Sequence, residues 1–291
     1  MSEFENKVVI VTGAGGGLGK AHALEFARRG AKVVVNDLGG SVDGVGSSAM
    51  ADLVVEEIKS AGGQAIANMA SVSDKAGAAS IVADAVNAFG TVDILVNNAG
   101  ILRDKSFKNM TLDDWDLLIA VHLNGTAYVT HAAWPIMYEK NYGRIVFTSS
   151  GSGIWGNFGQ SNYGAAKTGM LGLMNVLALE GASHNIKVNC LSPAAVTRLT
   201  NTIPGRNEDL DNPDPAQAPD LVTPAVLFIC RDDAPTGKII QAGAGRFSIA
   251  SMFSNQGVKY GTTASLERLL DDEEQLLDMS KAREGSNRRR G

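Results

Sequence analysis

Tyr163 and Lys167 stand four residues apart at the start of an apolar stretch, a spacing that places both side chains on one face of a helix, one turn from each other. A free phenol, with a pKa of about 10, is a poor base at neutral pH. A nearby ammonium favours the phenolate and is expected to draw that pKa down, which makes proton exchange with an alcohol feasible. Ser150 closes the run Val146-Phe147-Thr148-Ser149-Ser150, thirteen residues before the tyrosine, and its hydroxyl can hydrogen-bond a reacting oxygen. A Tyr and a Lys at this spacing occur by chance in many chains, so their meaning rests on what surrounds them.

Near the N-terminus, Thr12-Gly13-Ala14-Gly15-Gly16-Gly17-Leu18-Gly19 follows one apolar run and opens a helix-period segment. Gly13, Gly17 and Gly19 let the chain turn sharply and bring backbone N–H groups to a pyrophosphate, whose charge suits a helix N-terminus. Asp37 ends the next apolar run, Val33-Val34-Val35-Asn36-Asp37, where a carboxylate can accept hydrogen bonds from both adenosine ribose hydroxyls. That carboxylate repels a 2′-phosphate, and Leu38 follows it in place of a basic side chain, so NAD is favoured over NADP.

Positioning these groups falls to short Val- and Ile-rich runs at 7–12, 32–37, 64–69, 92–96, 143–149, 186–192 and, more weakly, 237–242, with helix-period segments between them. The alternation predicts βαβ units, and runs nearly continuous in apolar character predict strands covered on both faces: a doubly wound α/β parallel sheet. The helix from Tyr163 to Glu180 has almost no polar face, and either a subunit interface, in a homodimer or homotetramer, or burial inside a monomer would cover it. Residues 1–245 read as one domain. Within them, 204–220 form a polar excursion with four prolines and four aspartates; residues 246–291 form a carboxyl extension with one helix candidate at 264–281 and a polar, disordered ending.

Composition supports a globular reading. The 291 residues are 44% hydrophobic and 20% charged, with 26 basic against 31 acidic side chains, net −5, which argues against disorder, collagen and coiled coil. This balance gives no reason to expect a nucleic-acid or anionic-membrane partner, and Arg288, Arg289 and Arg290 read as a solvated tail. Cys190 and Cys230, each among apolar neighbours, read as small buried hydrophobes rather than metal ligands or a disulfide. With no signal-like start, no membrane-length apolar run and no Ser-Lys-Leu ending, the expected location is cytoplasmic.

Taken in order, the glycine turn, Asp37, Asn97-Asn98-Ala99-Gly100, Ser150 and the Tyr163–Lys167 pair make residues 5 to 245 resemble the short-chain dehydrogenase/reductase family. The resemblance implies a Rossmann-type fold of seven parallel strands and hydride exchange at a nicotinamide. By position, Tyr163 resembles the family's acid/base, Lys167 the residue that lowers its pKa and binds the nicotinamide ribose, and Ser150 the residue that orients the substrate oxygen. Leu18, Leu38, Asn98, Ala99 and Gly100 would line the cofactor; Ser71 and Val72 fall where the family has Asp-Val against the adenine; and Thr197 would substitute for a usual Thr one residue later, where Arg198 stands. His122 replaces the family's usual catalytic Asn and is a candidate member of a proton relay.

Longer strings, including Asn36-Asp37-Leu38-Gly39-Gly40, Gly44-Val45-Gly46, Ile101-Leu102-Arg103-Asp104 and Gly156-Asn157-Phe158-Gly159-Gln160, are similar to the dehydrogenase modules of peroxisomal multifunctional enzymes type 2, also called 17β-hydroxysteroid dehydrogenases. That likeness implies an NAD-dependent oxidation of a (3R)-hydroxyacyl-CoA or a hydroxysteroid. The alternatives are a 3-oxoacyl thioester reductase and a dinucleotide-binding regulatory protein without turnover. Arg103, Lys105 and Lys108 either offset the acidic segment toward CoA phosphates or solvate a loop.

Overall fold

The apolar runs become strands β1 (Val8–Thr12), β2 (Lys32–Asn36), β3 (Gln64–Asn68), β4 (Ile94–Asn97), β5 (Gly143–Thr148), β6 (Ile186–Ala194) and β7 (Ile239–Gly243). This computed structural model describes residues 3–39, 49–196 and 214–285. Thr197, Arg198, the Gly44-Val45-Gly46 string, residues 204–213 of the polar excursion and the terminal arginines lie outside them.

Neighbouring strands among these seven pair in parallel, with Ile10 opposite Val34 on one side and Leu95 on the other. Every residue of β1, β4 and β5 is buried, because helices lie on both faces. On one face Val9, Val11, Val33 and Val35 pack with Phe26 of α1 (Gly17–Arg28), Val54 and Ile58 of α2 (Met50–Ser60), and Val226 and Ile229 of a helix at Thr223–Cys230. The alternate residues, such as Ile10 and Val34, are equally buried. Their cover comes from α3 (Lys75–Phe89), α5 (Gly125–Lys140) and α7 (Ser161–Glu180). Between α3 and α5 lies α4 (Leu112–Ile119), joined to α5 by a π-helical turn, Ala120–Asn124; α6 (Gly151–Trp155) sits between β5 and α7.

The sheet runs β3-β2-β1-β4-β5-β6-β7-β8, where β8 is Arg246–Ala250. Its order reverses direction between β1 and β4, and a crevice opens at the carboxyl ends of strands at such a point. The eighth strand goes beyond the seven predicted ones. Ala244 and Gly245, both with positive φ (+49° and +71°), form a two-residue connection of the I′ kind, which turns β8 back antiparallel to β7.

The chain divides into two compact units, residues 1–249 and 250–291. In the second, Phe253–Ser254 pairs antiparallel with Arg283–Glu284, and the predicted helix at 264–281 is two short helices, Leu266–Asp271 and Glu273–Leu277. Tyr260 ties them by donating its hydroxyl to Asp272 at 2.6 Å. Among the described residues no helix is long and apolar enough to cross a membrane.

Candidate active site

The glycine turn joins β1 to α1 beside the carboxyl end of β4. Gly13 has φ +63°, and a Cβ there would lie 2.7 Å from the Ala99 backbone, so only glycine permits this approach. Asn98 stitches the two segments together: its side-chain amide donates to the Thr12 and Gly13 carbonyls at 3.1 and 3.0 Å. The Thr12 hydroxyl accepts from the Asn98 and Ala99 amides at 3.0 and 3.1 Å. Gly17 opens α1, Leu18 is half-buried and Gly19 buried, and Gly100 continues the segment beside His122. The N-cap of α1 is Gly16, with no capping side chain and no acid in the first turn, so the helix presents uncapped N–H groups with their partial positive charge.

Asp37 lies directly against this turn. One carboxylate oxygen accepts from the Gly15 amide and the other from the Gly39 amide, both at 2.7 Å. A carboxylate offers about four acceptor positions, so each oxygen retains one for a ribose hydroxyl. Leu38 is exposed beside it. Lys20, the nearest base in the first helix, is paired with Glu57 at 2.7 Å. After β3, the Ser71 and Ser73 hydroxyls share a hydrogen bond of 2.8 Å, and Val72 is buried against Gly125. An uncapped helix start, a glycine-lined turn and an acid beside it fit a dinucleotide.

Ser150, Tyr163 and Lys167 come together at the carboxyl end of β5. Ser150 is the N-cap of α6, its hydroxyl accepting from the Ser152 amide at 3.2 Å, and it also hydrogen-bonds Tyr163. The Lys167 Nζ lies 5.3 Å from the Tyr163 ring centre and donates to the Thr148 carbonyl at the end of β5. Burial pulls the lysine down to about 7. The tyrosine does not show the lowering expected from the sequence. Burial pushes its hydroxyl up to about 12, the Ser150 hydrogen bond opposes that, and the Asp104 charge adds to it. Desolvation of the phenolate outweighs the amine, which is itself desolvated and half neutral near pH 7.

His122 occupies the π-helical turn, fully buried and edge-on to Tyr163 at 5.2 Å between ring centres. Its Nε2 lies 3.0 Å from the Ile101 amide and 2.7 Å from the Ile101 carbonyl, so it bonds the same residue in either tautomer, while Nδ1 is buried without a partner. Burial holds this imidazole neutral. Arg103 and Lys105 both pair with Asp114, at 3.5 and 2.9 Å. Cys190 and Cys230 are buried free thiols, and the described residues hold no cluster with metal-ligand character.

Sequence reasoning assigned no role to Asp104 and Gln160. Gln160 donates to Asp104 at 2.6 Å and accepts from the Ser152 hydroxyl at 2.7 Å and from Asn157 at 3.0 Å. The available signal was a polar pair inside strings that were read only for likeness.

A Rossmann-type sheet with this site at its switch point defines a dinucleotide-dependent oxidoreductase. The chain belongs to the short chain dehydrogenase family, whose profile matches residues 7–210. The cofactor that goes with this family and fold is a nicotinamide dinucleotide. Over 277 residues it is 51% identical to peroxisomal multifunctional enzyme A of Dictyostelium discoideum, covering 94% of this chain and 60% of that one. It is 44% identical to a short-chain type dehydrogenase/reductase of Mycobacterium tuberculosis, covering 97% and 98%. A crystal structure of a short chain dehydrogenase from Mycobacterium avium superposes with a TM-score of 0.82 at 39% identity, covering 96% and 97%. The chain therefore spans under two thirds of the Dictyostelium relative's length.

These likenesses overturn the cytoplasmic expectation. Relatives from Dictyostelium, mouse, Neurospora and yeast are named as peroxisomal enzymes. A peroxisomal address is a short receptor-read motif with no trace in composition or fold, so neither could decide the compartment.

Proposed function

We propose that the protein is an NAD-dependent dehydrogenase that interconverts a secondary alcohol and its ketone, with a (3R)-hydroxyacyl-CoA as first substrate and a hydroxysteroid as second. The observation that carries this reading is the convergence of Ser150, Tyr163 and Lys167 at the end of β5, on the same carboxyl edge of the parallel sheet as Asp37 against Gly15. Asp37 and the first turn of α1 would hold the dinucleotide; Asn98, Ala99 and Gly100 would line it, with Ser71 and Val72 toward the adenine. The bound cofactor would supply the hydride acceptor. Ser150 orients the alcohol oxygen; Tyr163, protonated at neutral pH, gives its own proton to the amine of Lys167, which titrates near 7, as it takes the proton of the alcohol.

The choice of NAD over NADP rests on Asp37, on exposed Leu38 and on Lys20 being engaged with Glu57. The substrate order rests on the likeness to the peroxisomal multifunctional enzymes, some named hydratase-dehydrogenase-epimerases. Val176 and Leu179 on α7 are exposed apolar side chains, in keeping with a homodimer or homotetramer. The test mixes the protein with NAD and, in parallel, (3R)-hydroxyacyl-CoA thioesters and steroid alcohols, following NADH absorbance. Turnover with the thioesters is expected; steroid-only turnover would reverse the order, and none with either class would refute the substrate assignment.

A further inference from the structure

Asp104 lies outside the Ser150–Tyr163–Lys167 set yet is tied to it by an unbroken hydrogen-bonded path. Its Oδ2 accepts from the Gln160 side chain at 2.6 Å. Gln160 is 3% exposed and is the N-cap residue of α7, three positions before Tyr163. The Gln160 Oε1 accepts from the Ser152 hydroxyl, and the Ser152 amide donates to the Ser150 hydroxyl. A parallel bridge between Lys105 and Gln160 fixes the same two segments through the backbone. This path spans the segment after β4, the α6 cap and the start of α7.

We propose that Asp104 is a positioning residue that acts through Gln160 to hold the Ser150 cap against Tyr163. The proposal rests on the assignment of Tyr163 as the acid/base. Gln160 is suited to this place because its amide both donates and accepts: the Nε2 end meets a carboxylate, while Oε1 receives two donors. A carboxylate here also bears on the phenol. The groups facing Tyr163 are Lys167 from its own helix, neutral His122 from the π-helical turn, the Ser150 hydroxyl and Asp104. Of the neighbouring charges, Arg103 and Lys105 each pair with Asp114. Burial raises the Asp104 carboxyl and its Oδ1 is buried without a partner, in keeping with a charge kept at some cost.

The test compares alcohol oxidation in wild type, Asp104→Asn and Asp104→Ala, with Tyr163→Phe as control. Asn keeps the acceptor for Gln160 and removes the charge. It is expected to retain kcat within about threefold, because the acceptor that Gln160 needs stays in place. Asp104→Ala also frees Gln160 and is expected to lose about tenfold in kcat with NAD affinity unchanged. A loss of kcat in Asp104→Asn as large as that in Asp104→Ala, or full kcat in Asp104→Ala, would overturn the proposal. Retained turnover in Tyr163→Phe would instead overturn the tyrosine assignment beneath it, so the two failures are distinguishable. Should Asp104→Ala fail to fold, Gln160→Ala, which breaks the same path from its other end, replaces it with the same expected loss.

Discussion

Residue by residue, the site is a set of compromises between burial and charge. Lys167 is the clearest case. Its folded pKa near 7 lies below the ordinary 10.5, so between those values the unfolded chain binds the proton more tightly. The buried lysine therefore costs stability in full below pH 7, and the cost fades as pH rises toward 10.5. Lys167→Met is expected to abolish turnover yet raise Tm at pH 7, with the gain shrinking as pH climbs; thermal scans across that range check it. Asp37→Ala is expected to weaken NAD by tenfold or more while leaving NADP nearly unchanged, measured by titration of each dinucleotide. The pair Gly100 and His122 is coupled by space: a Cβ at Gly100 would lie 3.1 Å from both imidazole nitrogens and closer still to Cε1. Such overpacking costs about 1–3 kcal/mol, so Gly100→Ala should lower stability and His122→Ala should restore part of it in the double variant.

At the scale of elements, function depends on how β1, β4 and β5 end. The Thr12 hydroxyl binds the first glycine turn to the segment after β4 by accepting two backbone amides. Thr12→Val would orphan both and is expected to cost about 2 kcal/mol and weaken dinucleotide binding, whereas Thr12→Ser should be near wild type; denaturant unfolding distinguishes them. The parallel strands and their helices were legible because a strand buried on both faces must be largely apolar, as residues 8–11 of β1 and 94–96 of β4 are. The antiparallel β8 was not, since Arg246, Phe247, Ser248 and Ile249 lie open or half-open and their order follows from the turn at Ala244 and Gly245. The π-helical turn was equally hidden. One extra residue per turn leaves no periodic mark in a stretch of five, Ala120–Asn124, although His122 itself stood out by replacing the expected Asn.

Across the whole molecule, a chemistry written in a dozen side chains is held by a sheet whose strand order opens its crevice where those side chains lie. The placement of Tyr163, Lys167, Ser150 and Asp37 near the carboxyl ends of the strands was readable because residue type and place along the βαβ pattern fix it. The balance between burial and charge was not readable, because desolvation depends on contacts distant in sequence; the high phenol and the low amine both follow from it. Compartment also lay beyond reach, as the peroxisomal relatives show. The central claim, that Tyr163 moves the proton while the dinucleotide is held by other groups, is tested most directly by Tyr163→Phe with NAD affinity measured by calorimetry and alcohol oxidation by NADH absorbance. A loss of kcat by a thousandfold or more, with the NAD dissociation constant within threefold of wild type, is the predicted result, and turnover within tenfold of wild type would contradict the account.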